Sequence, residues 1–388
     1  MKNIIASAVL ALLPLMQGVA APRTPASGNE VITELPRQDD GLRALRAAVV
    51  AAPRDPEPAL VLARRYVMLG RASADPRYYG QAQAVLAPWW DRPDASNGVR
   101  LLRATLLQNG HHFTEAQAEL GRIVAADPRA AQAWLTLATV QAVQGDSAGA
   151  IASCGRLSSL AGQLETFACL AVASANTGRM RGAEQLLALG LEREREAGNN
   201  PAPEIRTWAL TMLAELAARR GDAPVAQQRF LAALRVAPAD SYLLGAYADF
   251  LLDRGRAADV PALLRDHHRN DALLLRHALA LQALGRRDAL VPVRAELQAR
   301  FDAASLRGDA VHLREQARFT LHVVKDMPAA LALAQRNWQV QKELADTRIL
   351  LEAGLAARDS AALQPVLRWI RAQGLQDVVV ARLVERAS

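Results

Sequence analysis

Small side chains recur in this chain at a fixed distance from one another, and that spacing narrows the folds open to it. In the stretch from residue 207, Leu213, Ala214, Gly221, Ala226, Phe230, Ala233 and Pro238 stand in register, with Ala226 twelve positions after Ala214 and Pro238 twelve further on. Small residues let two helix axes cross closely, large ones fill the space between the axes, and proline stops a helix. The register returns from 131 with Trp134, Leu137, Ala138, Gly145 and Ala150, and from 164 with Leu170, Ala171, Gly178 and Ala183. A start at 56 gives Leu62, Ala63, Tyr66 and Gly70, and one at 97 gives Ala104, Ala116 and Pro128. Starts at 241 and 271 retain Tyr247, Ala248 and Gly255, then Ala278 and Gly285. Seven such frames describe a chain made by repetition, each two-helix unit burying its apolar face on its neighbours. Ala and Leu dominate and aromatics make up only 4% of the residues, a composition suited to an all-α protein.

On these residues the sequence resembles the tetratricopeptide repeat family, whose 34-residue unit carries the pattern W-x2-L-G-x2-Y, then A-x3-F, then P. Ala226, Phe230, Ala233 and Pro238 fill every signature position of the second half. The resemblance runs from about residue 41 to about residue 370 and implies an α-solenoid, a right-handed superhelix of stacked helix-turn-helix units. It departs from the pattern in places. Ala mostly replaces the glycine of the first helix, and Arg64 and Arg103 sit beside positions where small or apolar residues are expected. Successive starts lie 41, 34, 33, 43, 34 and 30 residues apart, so insertions are expected near Arg71–Arg77 and near Ala197–Glu204. Residues 41–300 form the expected solenoid. Residues 301–388 read as degenerate helical repeats with a closing helix from Gln376 to Arg386.

The N-terminus reads as a targeting segment. Lys2 precedes an apolar run from Ile4 to Met16, and Gly18, Val19 and Ala20 supply small residues for cleavage after Ala20. Residues 1–20 are thus expected to be a signal peptide, residues 21–40 a flexible leader, and the mature protein periplasmic or secreted. No stable membrane insertion is expected after cleavage. Loss of Lys2 leaves 45 basic against 39 acidic residues, nearly all of the basic ones arginine. They are dispersed among acids, as in Glu192-Arg193-Glu194-Arg195-Glu196, rather than massed on one face, so no nucleic-acid partner is expected.

Chemistry-bearing motifs are sparse. Cys154 and Cys169 lie fifteen residues apart in adjacent units. An exported chain could join them in a disulfide, or both could be small packing residues. The histidine pairs His111-His112 and His267-His268, and the single His277, His312 and His322, show no metal-ligand spacing, and no nucleophile elbow, phosphate loop or dinucleotide fingerprint occurs. No metal, no cofactor and no catalysis are expected.

The resemblance also implies where a partner would bind, because first-helix side chains of each unit line a concave groove. Mapped onto this chain they are Thr105, Gln108 and Asn109, then Gln132, Leu135 and Thr139, then Glu165, Val172 and Asn176. Trp208, Thr211, Glu215 and Arg219 follow, then Tyr242, Asp249 and Asp253. The repeated Lys/Arg/Asn pattern of carboxylate-clamping grooves is missing. The expected function is a non-enzymatic scaffold or adaptor in the bacterial envelope, holding a peptide segment or helix of another protein, with self-association also open. The alternative is an accessory subunit that loads or guards a metal or small ligand for an exported enzyme, with His111, His112, His267 and His268 as ligands. A third reading is an enzyme whose site lies after Arg300.

Overall fold

A computed structural model describes residue 27 and residues 40–387 except 74, 309 and 310. The expected signal peptide and nearly all of the expected leader fall outside the described residues. A single helix, α1 (Asp40–Ala51), opens the fold, and nine helix pairs follow. They are α2 (Pro56–Ser73) with α3 (Arg77–Trp90), α4 (Asn97–Asn109) with α5 (Phe113–Ala126), and α6 (Ala131–Val143) with α7 (Ser147–Arg156). Next come α8 (Gln163–Ala175) with α9 (Met180–Glu196), α10 (Pro203–Arg219) with α11 (Ala223–Val236), and α12 (Ser241–Asp253) with α13 (Val260–Leu263). The last three pairs are α14 (Asp271–Ala283) with α15 (Arg287–Leu306), α16 (Leu313–Phe319) with α17 (Met327–Val340), and α18 (Leu344–Ala357) with α19 (Ser360–Gln373). A final helix, α20 (Val378–Ala387), closes the chain, and no strand occurs among the described residues.

Helix starts are written locally. Asp146, Asp222, Asp240, Asn270, Asp326 and Asp359 each accept a hydrogen bond from the backbone N–H three residues on, at 2.8–3.3 Å. These bonds satisfy donors that a helix start leaves unpaired. Most turns within pairs need a left-handed residue, supplied by Gly145 and Gly221 at φ +84° and +85°. Arg358 holds the same conformation without being glycine, between α18 and α19.

The periodic residues sit where the spacing placed them. Ala214, Ala226 and Ala233 are fully buried, and Phe230 fills the gap they leave, with Tyr247 and Phe250 packed at ring distances of 5.3 and 5.5 Å. Irregular spacings have identifiable causes. The insertion near Arg71 lengthens α2 to 18 residues, and the one near Ala197 extends α9 and α10 to 17 each. The short 241–271 unit has only a four-residue second helix, with Pro261 near its start. Arg103, out of pattern in the sequence, is buried because Glu119 of the next helix answers it at 2.5 Å while Arg100 and Arg122 also approach that carboxylate. Burial pushes the Glu119 carboxyl up, but these guanidiniums hold it below its ordinary range.

Cys154 of α7 and Cys169 of α8 are joined by a disulfide with Cα atoms 5.6 Å apart, tying the third pair to the fourth. Both cysteines are buried. A crosslink closing a loop of this length restricts the unfolded chain and contributes about 3 kcal/mol in the chain-entropy description. Reductant is therefore expected to lower the urea midpoint of the native chain. A Cys154→Ala/Cys169→Ala variant should start from the lower midpoint and show no further response to reductant.

Candidate functional site

First helices of successive pairs lie side by side from α2 to α20, so they form the inner wall of the solenoid. The groove positions inferred from the sequence lie on or at the ends of these first helices, and most of them sort into three groups. Thr105, Gln108, Asn109 and Thr139 make up the first. Thr105 and Thr139 donate to the carbonyls of Leu101 and Leu135, at 2.8 and 2.9 Å, and Asn109 donates to the Thr105 carbonyl. The hydroxyls of Thr105 and Thr139 and the amide of Asn109 are thus bound within their own helix, and Gln108 lies half-buried on the same turn as Thr105.

The second group faces the chain's own C-terminal helices. Asp253, at the end of α12, is gripped by the guanidinium fork of Arg348 from α18, at 2.7 and 2.8 Å. Asp249 pairs with Arg276 of α14 at 2.6 Å and with Arg318 of α16 at 2.7 Å. Burial pushes the Asp249 carboxyl up, but the two guanidiniums win and hold it at about 2. Arg219 is buried, donates to the Gln376 carbonyl at 3.2 Å, approaches Asn176 at 3.4 Å and lies 3.9 Å from Asp377. Its loose ionic partner leaves burial dominant, and its affinity for the proton is lowered.

Backbone contacts complete this closure. The Lys342 N–H donates to the Val143 carbonyl at 2.7 Å, and the Gly178 N–H donates to the Gln373 carbonyl at 3.2 Å. The positive φ calls for glycine at 145, and a Cβ there would also press on the Lys342 and Trp369 side chains at 3.1 and 3.2 Å. The C-terminal partners Arg318, Lys342, Arg348 and Gln373 were not legible as groove residues, because the repeat register fades beyond Arg300. Behind them, His322 and Arg348 flank Glu352 at 2.8 and 2.7 Å and hold its carboxyl at about 2 despite burial.

The third group remains open. Trp208 and Thr211 of α10 and Tyr242 of α12 line a recess of about 280 Å³, together with Pro203, Glu204, Thr207, Ala237 and Asp240. Trp208 lies eleven residues before Arg219, about 16 Å along the helix axis from the closure. Tyr242 is 63% exposed, yet its hydroxyl donates to Glu215 at 3.0 Å, and that carboxylate with burial pushes its pKa well above the ordinary tyrosine value. The ring faces solvent while its hydroxyl is tied to the wall. Burial raises the Glu215 carboxyl to about 7, against the pull of Tyr242 and Arg219. Sequence reasoning missed Thr207, Glu204 and Asp240. Asp240 could have been found as the cap of α12, which it is.

Metal-binding geometry is sparse among the described residues. His111 occupies the α4–α5 turn, stacked on Phe113 at 5.2 Å, and burial with the charge of Arg314 lowers its pKa to about 4. His268 packs at a tilt against His277 with ring centres 4.6 Å apart, far along the chain from His111 and His112. No described group of three or more His, Cys, Asp or Glu residues could hold a metal ion.

No family model matches the sequence, and no curated protein sequence matches it. Solved structures do resemble the fold. A chain of the Cut9–Hcn1 hetero-tetramer of the APC/C superimposes with TM-score 0.53 at 12% identity, over 89% of this chain and 71% of that one. Human IFIT1, in its dimer with PPP-AAAA, gives 0.47 at 13% identity, over 91% and 95%. Yeast Tom70 gives 0.36 at 12% identity, over 90% and 91%. The chain is an all-helical α-solenoid of the tetratricopeptide type.

Two measurements check the electrostatics of this wall. Loss of the charge-assisted bonds in an Arg318→Ala/Arg348→Ala variant is expected to cost about 2 kcal/mol per bond set. It should also enlarge the radius of gyration seen by solution X-ray scattering. An unchanged radius would assign the closure to the backbone contacts at Val143 and Gly178. Glu215 has a folded pKa above its unfolded value, so its contribution is complete below about 4.5 and is lost as pH rises through about 7. The stability of the wild type relative to Glu215→Gln, read from urea midpoints, should accordingly fall between those pH values.

Proposed function

We propose that the chain is a non-catalytic interaction scaffold, exported to the bacterial envelope, that holds an extended segment or helix of another protein against its inner wall. One observation carries this reading. Aromatic rings from two adjacent first helices, Trp208 and Tyr242, stand at a recess on the wall that the chain's own C-terminal helices leave open. Tyr242 is exposed and Trp208 half-buried against the core, and aromatics beside a recess anchor partner chains well, because they supply large contact area at low entropic cost. The first-helix charges Arg219, Asp249 and Asp253 serve the closure in the free chain, so the partner's contacts concentrate on the Trp208–Tyr242 stretch.

Export is supported by the apolar run after Lys2 and by the buried disulfide, a bond at home in oxidising compartments. No helix among the described residues is long and apolar enough to cross a membrane. Affinity capture from envelope extracts tests the reading, with the full chain compared against Trp208→Ala/Tyr242→Ala. A defined protein retained by the wild type and lost by the variant is the expected result. Equal recovery by both would move the binding surface elsewhere on the solenoid. Recovery of nothing by either would remove the adaptor reading.

A further inference from the structure

We propose that the Trp208–Tyr242 recess is a receptor for one arginine side chain of the partner segment; this rests on the scaffold reading above and names the chemistry of its central contact.

The lining residues carry the argument. Glu204 and Asp240 put two carboxylates at the recess, Glu215 stands behind the Tyr242 hydroxyl, and no basic side chain lines it. The starts of α10 and α12 also open there, and each brings roughly half a positive charge. Two such ends amount to about one unit of charge, against about two from Glu204 and Asp240, so the recess keeps a net negative field. One oxygen of Asp240 caps α12, leaving the other free.

A second observation points to a missing partner. Thr207 lines the recess, is only 5% exposed, and its hydroxyl has no hydrogen-bond partner. Neighbouring Thr211 illustrates the ordinary solution, since its hydroxyl donates to the backbone carbonyl of Thr207 at 2.8 Å. A buried hydroxyl without a partner is costly, and an incoming N–H donating to its oxygen would relieve part of that cost. The volume of about 280 Å³ suits a single long side chain rather than a folded element.

Arginine fits this combination better than lysine. A planar guanidinium stacks on aromatic faces and presents five donors in a rigid fork, enough to reach a carboxylate and a hydroxyl together. Lysine offers a point charge that cannot lie flat against Trp208 or Tyr242. The partner's motif is therefore an exposed arginine in an extended stretch, flanked by residues free of acidic charge.

The test uses the full chain and four blocked pentapeptides, Gly-Ser-X-Ser-Gly, in which X is Arg, Lys, Gln or Glu. Binding is followed on the indole signal of Trp208, assigned by its loss in Trp208→Phe. The Arg peptide is expected to saturate, the Lys peptide to bind several-fold more weakly, and the Gln and Glu peptides not to saturate. Thr207→Val separates binding from folding. It should raise the urea midpoint of the free chain, by removing an unpaired buried hydroxyl, while weakening the Arg peptide roughly tenfold. Glu204→Gln should weaken the Arg peptide while lowering the midpoint only by the small amount one acid in the first turn of α10 contributes. Equal binding of Arg and Gln peptides overturns the arginine assignment, and so does absence of binding by the Arg peptide. Neither result touches the scaffold reading, which fails only if the capture experiment retains no partner.

Discussion

Removing a charge from water costs several kcal/mol unless an opposite charge and hydrogen bonds replace the lost hydration. The inner wall of this solenoid concentrates such charges, and their pairing governs how the chain is arranged around it. Asp249 sits between Arg276 and Arg318, Glu352 between His322 and Arg348, and Asp253 is held by the Arg348 fork. All but the Arg348–Glu352 contact, which lies within α18, reach from one helix pair to another, so most of this pairing depends on the C-terminal helices keeping their place. Where pairing is weaker, burial holds the carboxyl above its ordinary range. Asp346, fully buried against the amides of Asn337 and Gln341, has its carboxyl raised to about 6 by burial despite Arg314.

Much of the architecture was legible because it is local. Ala214, Ala226, Phe230 and Pro238 act within one unit, and a spacing of twelve residues records where two helices cross. The first helices that carry the inferred groove positions were legible for the same reason. What faces them was not. Asp253 and Arg348 lie 95 residues apart in sequence, and only the accumulated curvature of the stack brings them together. The irregular 241–271 unit and the π turn at Thr320–Val324 interrupt the register on the way.

The open recess shows a second limit of reading by register. Trp208 and Tyr242 announce themselves by size, whereas Thr207 looks like any helical threonine. Its importance lies in a bond it does not make, which appears only when every acceptor within reach is known. Arg103 is the reverse case: out of pattern in the sequence, it proved to be a structural residue once Glu119 was found opposite it.

The disulfide lies beneath the closure as well as within the core. Gly145, in the turn after α6, meets Lys342 and Trp369, and Gly178, in the turn after α8, meets Gln373. Those two turns belong to the helix pairs that Cys154 and Cys169 join. The covalent bond thus fixes the distance between two docking points that the C-terminal segment must reach at the same time. A bridge tens of residues away from the ion pairs sets the mechanical tolerance of their alignment, as a spacer sets the gap between two jaws.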